Sequence, residues 1–253
     1  LSDNHAGIMV LDPTAKVGTP ASDYFNVVKD WVFEIGLTPN RSDANSHIGV
    51  ARDIAAALNI AYKAKVKFTK PAVELKSEIV NLKSSITVDV QDAISCPRYS
   101  AITLKNVMVA DSPSWIKNRL NAIGVRPINN VVDITNLVLH EFGQPLHALD
   151  AAKIAGNKVV VKKLPQGTPF ITLDGKEIKL SAEDLMICDA NGGMCIAGVY
   201  GGLDSGVTTT SNTVFLESAY FLPSGIRKTS SRHGLRTDAA THFEKGCDPN
   251  ITI

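Results

Sequence analysis

Two short sequences near the middle of the chain restrict its fold more than any other feature. Asp174-Gly175 stands inside 170–180, and Asn191-Gly192-Gly193 stands between 185–188 and 194–197. Each turn signal is flanked by apolar runs of strand length. Asp-Gly and Asn-Gly pairs supply the positive φ angles that tight hairpins require, so both segments are expected to be antiparallel strand pairs. Residues 159–164 and 214–221 read as two further strands, and strand-like stretches also cover 86–90 and 99–109. The expected fold is α+β, a mostly antiparallel sheet with packed helices over 71–253, preceded by part of a small α/β connecting domain over 1–70.

In the first part, 1–40 is irregular, although Val27, Val28, Trp31, Val32, Phe33 and Ile35 form an apolar cluster of strand character. A helix follows, with Ser42, Asn45 or Ser46 as its cap and Val50, Ile54 and Leu58 as its stripe. The lysine-rich stretch 63–83 reads as a linker running into an edge strand, and the second domain is expected near Ser84. There Ser112 and Pro113 open a helix as cap and first position, Ile116, Leu120 and Ile123 form its buried stripe, and Gly124 closes it.

The next helix is the most polar place in the chain. Arg126, Asn129, Asn130, Asp133 and Asn136 crowd around a stripe of helical period formed by Val131, Thr135 and Val138 or Leu139. Gly143 ends it, leaving Gln144 and His147 in the loop beyond. Neutral hydrogen-bonding groups at this density suit a pocket that orients a polar ligand. A capped helix with polar turns is the other reading.

Three later segments add to the polar set. Gly198, Gly201 and Gly202 permit a sharp turn or a close approach to main-chain N–H groups, in a ligand pocket or a bulged hairpin corner. Glu217 has apolar neighbours on its strand except for Ser218, so it is either a buried carboxylate in need of a partner or part of a solvated face. Arg227, Lys228, Arg232 and Arg236 form a cationic run that either grips RNA phosphates or is simply solvated.

The formal net charge of +1 over 253 residues advertises no global field for nucleic acid. Four cysteines without Cys-x-x-Cys spacing point to a reducing, cytoplasmic compartment and to no zinc site. No run reaches the length of a membrane span. There is no phosphate-binding loop, no nucleophile elbow and no metal cluster, so a catalytic version of this chain would position water. The start at Leu1 suggests an excised piece of a longer protein.

Taken in order, 37–43, 126–136, 143–148, 172–175, 197–206, 212–220 and 236–239 closely resemble the β subunits of bacterial phenylalanine–tRNA ligases. The resemblance covers nearly the whole chain. It departs from the family at Leu149, where Phe is common, at Tyr200, where Met is common, and at 242–247, where an arginine-rich version is usual. It implies an editing domain that hydrolyses tyrosine mischarged onto phenylalanine tRNA. By the same resemblance His147, Asn136 and Thr135 are the candidate catalytic group, and Glu217, Gly201, Ala239, Thr237 and Arg126 bind the substrate. Arg227, Lys228, Arg232 and Arg236 are candidate tRNA contacts. The implied partners are an α subunit, in a heterotetramer of two α and two β chains, and the tRNA. No cofactor is implied in this region, ATP and Mg belonging to ligation by the whole enzyme. A non-catalytic module that positions tRNA or the partner subunit is the alternative.

Overall fold

The computed structural model describes residues 7–72 and 85–253. They fall into two compact units, divided between Glu34 and Ile35. Among the described residues of the first unit, α1 (Ala21–Tyr24) is the one regular element. The strand expected at 27–35 does not form: Val27, Val28, Trp31, Val32 and Phe33 are exposed and pair with no strand among the described residues. β-branched and aromatic side chains favour a pleated, half-buried surface, but a strand also needs a neighbour for its N–H and C=O groups.

In the second unit, α2 (His47–Tyr62) is capped by Ser46, whose hydroxyl accepts the Gly49 N–H at 3.0 Å. Ser42 belongs to a 3-10 turn instead (Ser42–Ala44). That turn lies so close to the helix that a Cβ on Gly49 would stand 2.3 Å from the Asp43 carbonyl oxygen. The expected stripe is incomplete, with Val50 and Leu58 only partly buried. Ile54 is 48% exposed, and the helix buries Gly49 and Ala55. Of the expected linker, 73–83 lies outside the described residues, as does Ser84, and 63–72 has no regular structure.

The β architecture follows the turn signals. One sheet has the order β1 (Thr87–Val90), β4 (Lys158–Lys163), β7 (Leu185–Cys188), β8 (Gly193–Ile196), β9 (Tyr200–Gly201). Its β1–β4 pair is parallel and its other pairs are antiparallel. A second, fully antiparallel sheet has the order β2 (Arg98–Leu104), β10 (Val214–Tyr220), β3 (Leu146–Asp150). The hairpin at Gly175, with φ +80°, joins β5 (Pro169–Ile171) to β6 (Glu177–Lys179). The fold is α+β and mostly antiparallel, as expected. Leu149, Phe215, Ala219 and Phe221 pack in one core with Val159, Val161, Met186 and Ile196.

Helix α3 (Ser114–Ala122) buries Ile116 and Leu120 as its stripe predicts, with Gly124 just beyond its end at φ +79°. Its N-cap is Pro113, not Ser112, because the Ser112 hydroxyl donates to Asp133 at 2.5 Å. Asp133 is fully buried on α4 (Asn130–Phe142) and also accepts the Ile128 N–H at 2.8 Å. The Asn129 side chain caps α4 by accepting from the Val131 and Val132 N–H groups, and Gly143 at φ +80° ends it. Two helices close the fold: α5 (Pro223–His233), and α6 (Asp238–Lys245), capped by the Thr237 hydroxyl.

Candidate functional site

Alternation along β10 decides the position of Glu217. Phe215, Glu217 and Ala219 share one face and are buried, whereas Leu216, Ser218 and Tyr220 on the other are partly exposed. Glu217, only 6% exposed, therefore points to the core side, not to a solvated face. In the register it lies opposite Ala101 of β2 and opposite His147 of β3. His147 is thus a strand residue, not a loop residue as its position after Gly143 suggested, because the chain re-enters the sheet at Leu146.

The Tyr99 hydroxyl donates to Oε2 of Glu217 at 2.6 Å. On the other flank, Nε2 of His147 lies 3.3 Å from the Cys195 Sγ. A Cβ on Gly201 would sit 3.4 Å from Cε1 of the same imidazole, so Gly201 leaves ordinary contact room beside the ring. Gly202 and Gly198 are glycines for packing reasons. A Cβ on Gly202 would fall 2.3 Å from the Met194 carbonyl oxygen, and one on Gly198 within 2.9 Å of Phe221, Ile226 and Phe243.

Burial sets the charge states of this cluster. It pushes the Glu217 carboxyl up, against the opposing pull of His147 and the Tyr99 hydrogen bond. It pushes His147 down, so the imidazole is neutral near pH 7. The Tyr99 phenol is raised by burial and by the neighbouring Glu217, and the Cys195 thiol is pushed up to about 12, chiefly by burial. A protonated thiol beside a neutral imidazole is not an activated nucleophile. The cluster offers hydrogen bonds and one carboxylate.

A cleft of about 410 Å³ gathers Thr135, Asn136 and Leu139 of α4, Pro145 and Leu146, and the run Arg236, Thr237, Asp238 and Ala239. Five of the sequence-derived site residues, Thr135, Asn136, Arg236, Thr237 and Ala239, therefore meet in one place although a hundred positions separate Asn136 from Arg236. The cleft ends at Leu146, the residue before His147. Thr237 ties the cleft to the strand region by donating to the Val199 carbonyl at 3.0 Å. Thr135 donates to the Val132 carbonyl at 2.7 Å. Neither Arg126, which is exposed just before the α4 cap, nor Glu217 lines this cleft.

The cationic run divides. Arg227 and Lys228 line a separate groove of about 760 Å³ with Ser224, Ser231, Arg232 and Glu244. Arg236 faces the first cleft instead. Arg232 and His233 both pair with the fully buried Asp184, which also accepts from Thr229 at 3.0 Å. That part of the run ties α5 to the segment before β7. Among the described residues no group of three or more His, Cys, Asp or Glu is placed to hold a metal, and no helix is long and apolar enough to cross a membrane.

Sequence reasoning missed Tyr99, Cys195 and Asp184. Tyr99 sits in an expected strand, and only its pairing 118 positions away distinguishes it from an ordinary strand tyrosine.

The B3/4 domain family matches residues 95–253. Over its whole length the chain is 54% identical to the phenylalanine–tRNA ligase beta subunit of Bacteroides fragilis and covers 31% of it. It is 47% identical over 252 residues to the corresponding subunit of Salinibacter ruber, covering 98% of this chain and 30% of that subunit. A crystal structure of an N-terminal fragment of the phenylalanyl-tRNA synthetase beta subunit from Pyrococcus horikoshii aligns with a TM-score of 0.43 at 18% identity, over 82% of this chain and 58% of that one. The chain thus spans slightly under a third of the length of the curated relatives it matches.

Proposed function

We propose a hydrolytic editing role for this chain, which belongs to the B3/4 domain family. In this reading it is part of a phenylalanine–tRNA ligase β subunit and cleaves tyrosine from phenylalanine tRNA. Its bacterial relatives carry that ligase name and match it from end to end.

The observation that carries the reading is the state of Glu217. This carboxylate is buried among apolar strand residues, and among the described residues Tyr99 is the one hydrogen-bond donor to it. Its remaining accepting capacity favours a ligand that brings a hydroxyl. A synthetic pocket shaped for phenylalanine is apolar and rejects an added hydroxyl only about a hundredfold. A second site that demands the hydroxyl reverses the test. Tyrosine would donate its phenol to Glu217, whereas phenylalanine would leave the oxygen that Tyr99 does not reach desolvated and without a donor, at a cost of about 1–3 kcal/mol.

The chemistry is ester hydrolysis. Water adds to the ester carbonyl, the bond from the carbonyl carbon to the ribose oxygen breaks, and that oxygen leaves with a proton. His147, Asn136 and Thr135 orient the ester and the water, and Gly201, Thr237 and Ala239 leave space for the amino acid. Arg126 binds the substrate only if the bound tRNA end extends beyond the cleft to the start of α4. ATP and Mg serve the ligation step, which this reading gives to the α subunit of a two-α, two-β assembly.

The Arg227 and Lys228 groove favours a second reading, a module that positions tRNA without catalysis. Deacylation of tyrosyl-tRNA specific for phenylalanine separates the two, using the assembled α/β enzyme with wild type beside Glu217→Ala. Editing requires fast hydrolysis by wild type, phenylalanyl-tRNA spared, and loss of that selectivity in the variant. Hydrolysis no faster than the uncatalysed rate, in an enzyme that still ligates phenylalanine, leaves the positioning role.

A further inference from the structure

Glu217 is held from one side by a phenol that belongs to the protein itself. Tyr99 lies on β2 two positions from Ala101, the residue opposite Glu217, and on the same face of the sheet. From this diagonal position its hydroxyl reaches Oε2 at 2.6 Å. We propose that Tyr99 is a positioning residue for substrate selection: its phenol occupies Oε2 of Glu217 and turns the carboxylate so that Oε1 is left to accept the substrate's hydroxyl. This rests on the editing reading and names the group that makes its selectivity possible.

Two physical consequences support it. A carboxylate free to rotate in a buried site could turn both oxygens toward any donor, and anchoring one of them reduces the discriminating position to a single acceptor. The same bond also opposes the effect of burial. The groups facing Glu217 are Tyr99 on β2, His147 on β3, Cys195 on β8 and Cys96 before β2. The Cys195 and Cys96 thiols are both pushed up to about 12 and bring no positive charge. His147 and then Tyr99 oppose the effect of burial on Glu217, and Tyr99 is the one that does so by direct donation. Without it Glu217 protonates at higher pH, and a neutral carboxyl left unpaired by phenylalanine carries a much smaller penalty.

The test is the ratio of tyrosyl-tRNA to phenylalanyl-tRNA hydrolysis as a function of pH, in the assembled enzyme, for wild type, Tyr99→Phe and Tyr99→Phe/Glu217→Gln. Tyr99→Phe removes one oxygen atom and keeps the ring that fills the core. The selectivity ratio of Tyr99→Phe is expected to fall roughly tenfold at the acid end of the series and to recover toward wild type as pH rises, following one protonation. That recovery should vanish in the double variant, whose residue 217 cannot ionise. A Tyr99→Phe profile that overlays wild type, with wild type selective, overturns this proposal and leaves the editing reading standing. Selectivity above wild type in Tyr99→Phe also overturns it, since Tyr99 would then be a competitor for Glu217. Absence of hydrolysis in wild type removes the editing reading, and this proposal with it.

Discussion

Glu217 and His147 face one another directly across the antiparallel pair of β10 and β3. The carboxylate is raised by burial, and the imidazole is depressed by burial. In the editing reading proposed above, the pair would separate two tasks, an acceptor that reads the amino acid and a neutral ring that orients the reacting group. His147→Ala is expected to slow hydrolysis of tyrosyl-tRNA and phenylalanyl-tRNA alike, by about 10²-fold or more, with their ratio largely kept. Glu217→Ala should collapse the ratio. Single-turnover deacylation of both esters measures this, and a selectivity loss in His147→Ala equal to that in Glu217→Ala would show that the two act as one unit.

Adjacent glycines 201 and 202 should respond differently to the same substitution. The Gly201 Cβ would meet His147 at 3.4 Å, an ordinary contact, so Gly201→Ala is expected to fold with near-normal stability while narrowing the space beside the imidazole. Gly202→Ala would place its Cβ 2.3 Å from a backbone carbonyl oxygen, which must move. A cost of about 2–3 kcal/mol or more is expected there. Urea denaturation of the two variants beside their deacylation rates distinguishes a functional contact from a packing one.

Asp184 should matter for stability although no active-site reading includes it. It is fully buried and accepts from Thr229, Arg232, His233 and the Ser181 N–H. Burial pushes its carboxyl up, but His233, the Ser181 amide and Thr229 outweigh this and hold it below 3.8. The network's stabilisation is therefore complete above that value and is lost as pH falls through the lowered one. Asp184→Ala is expected to cost about 2–4 kcal/mol at pH 7, since it leaves His233 and Thr229 unpaired, with Arg232 contributing less because it is partly exposed. The urea midpoint measures it.

The features legible in the sequence are those that local chemistry determines. Gly175 and Gly192 announced their hairpins, and Gly143 the end of α4, because turn and cap geometry depends on a few adjacent residues. What was not legible depends on partners far along the chain. Trp31 and Phe33 have strand character but no strand to pair with among the described residues, and the Ser112 hydroxyl is taken by Asp133, 21 positions on. Arg232 reads as a free cation until Asp184 is seen beneath it. Glu217 stood between a solvated and a buried face because a single alternating strand has no inside until a second sheet covers it.

The division of the cationic run has a measurable consequence for RNA. If the groove at Arg227 and Lys228 meets tRNA phosphates, replacing either with Ser should lower the slope of log affinity against log salt by about 0.7–0.9, without altering the melting temperature. Arg232→Ser should do the reverse, lowering stability through Asp184 while leaving the salt slope nearly unchanged. Filter binding across a salt series, paired with thermal melts, decides the matter. An unchanged slope in both groove variants would place the tRNA elsewhere.

Acid should loosen the junction of α4, α6 and the turn before α2 at milder pH than it affects Asp184. His242 Nδ1 lies 3.2 Å from the Asn45 amide, and its ring meets that of His140 edge-on at 6.4 Å. Burial, then the proximity of His140, pushes His242 from 6.5 down to about 4, although Asp238 pulls the other way. His140 is also lowered, mainly by burial, and its buried Nε2 has no hydrogen-bond partner among the described residues. Between pH 6.5 and about 4 the unfolded chain therefore binds protons that the folded chain refuses. Stability is complete above 6.5 and should fall through that window, by up to about 3 kcal/mol for His242 alone. Urea midpoints at pH 7, 5.5 and 4 are expected to drop for wild type and to drop distinctly less for His242→Gln, which keeps a polar partner for Asn45 but cannot charge. Equal losses in the two proteins would shift the acid response to other groups.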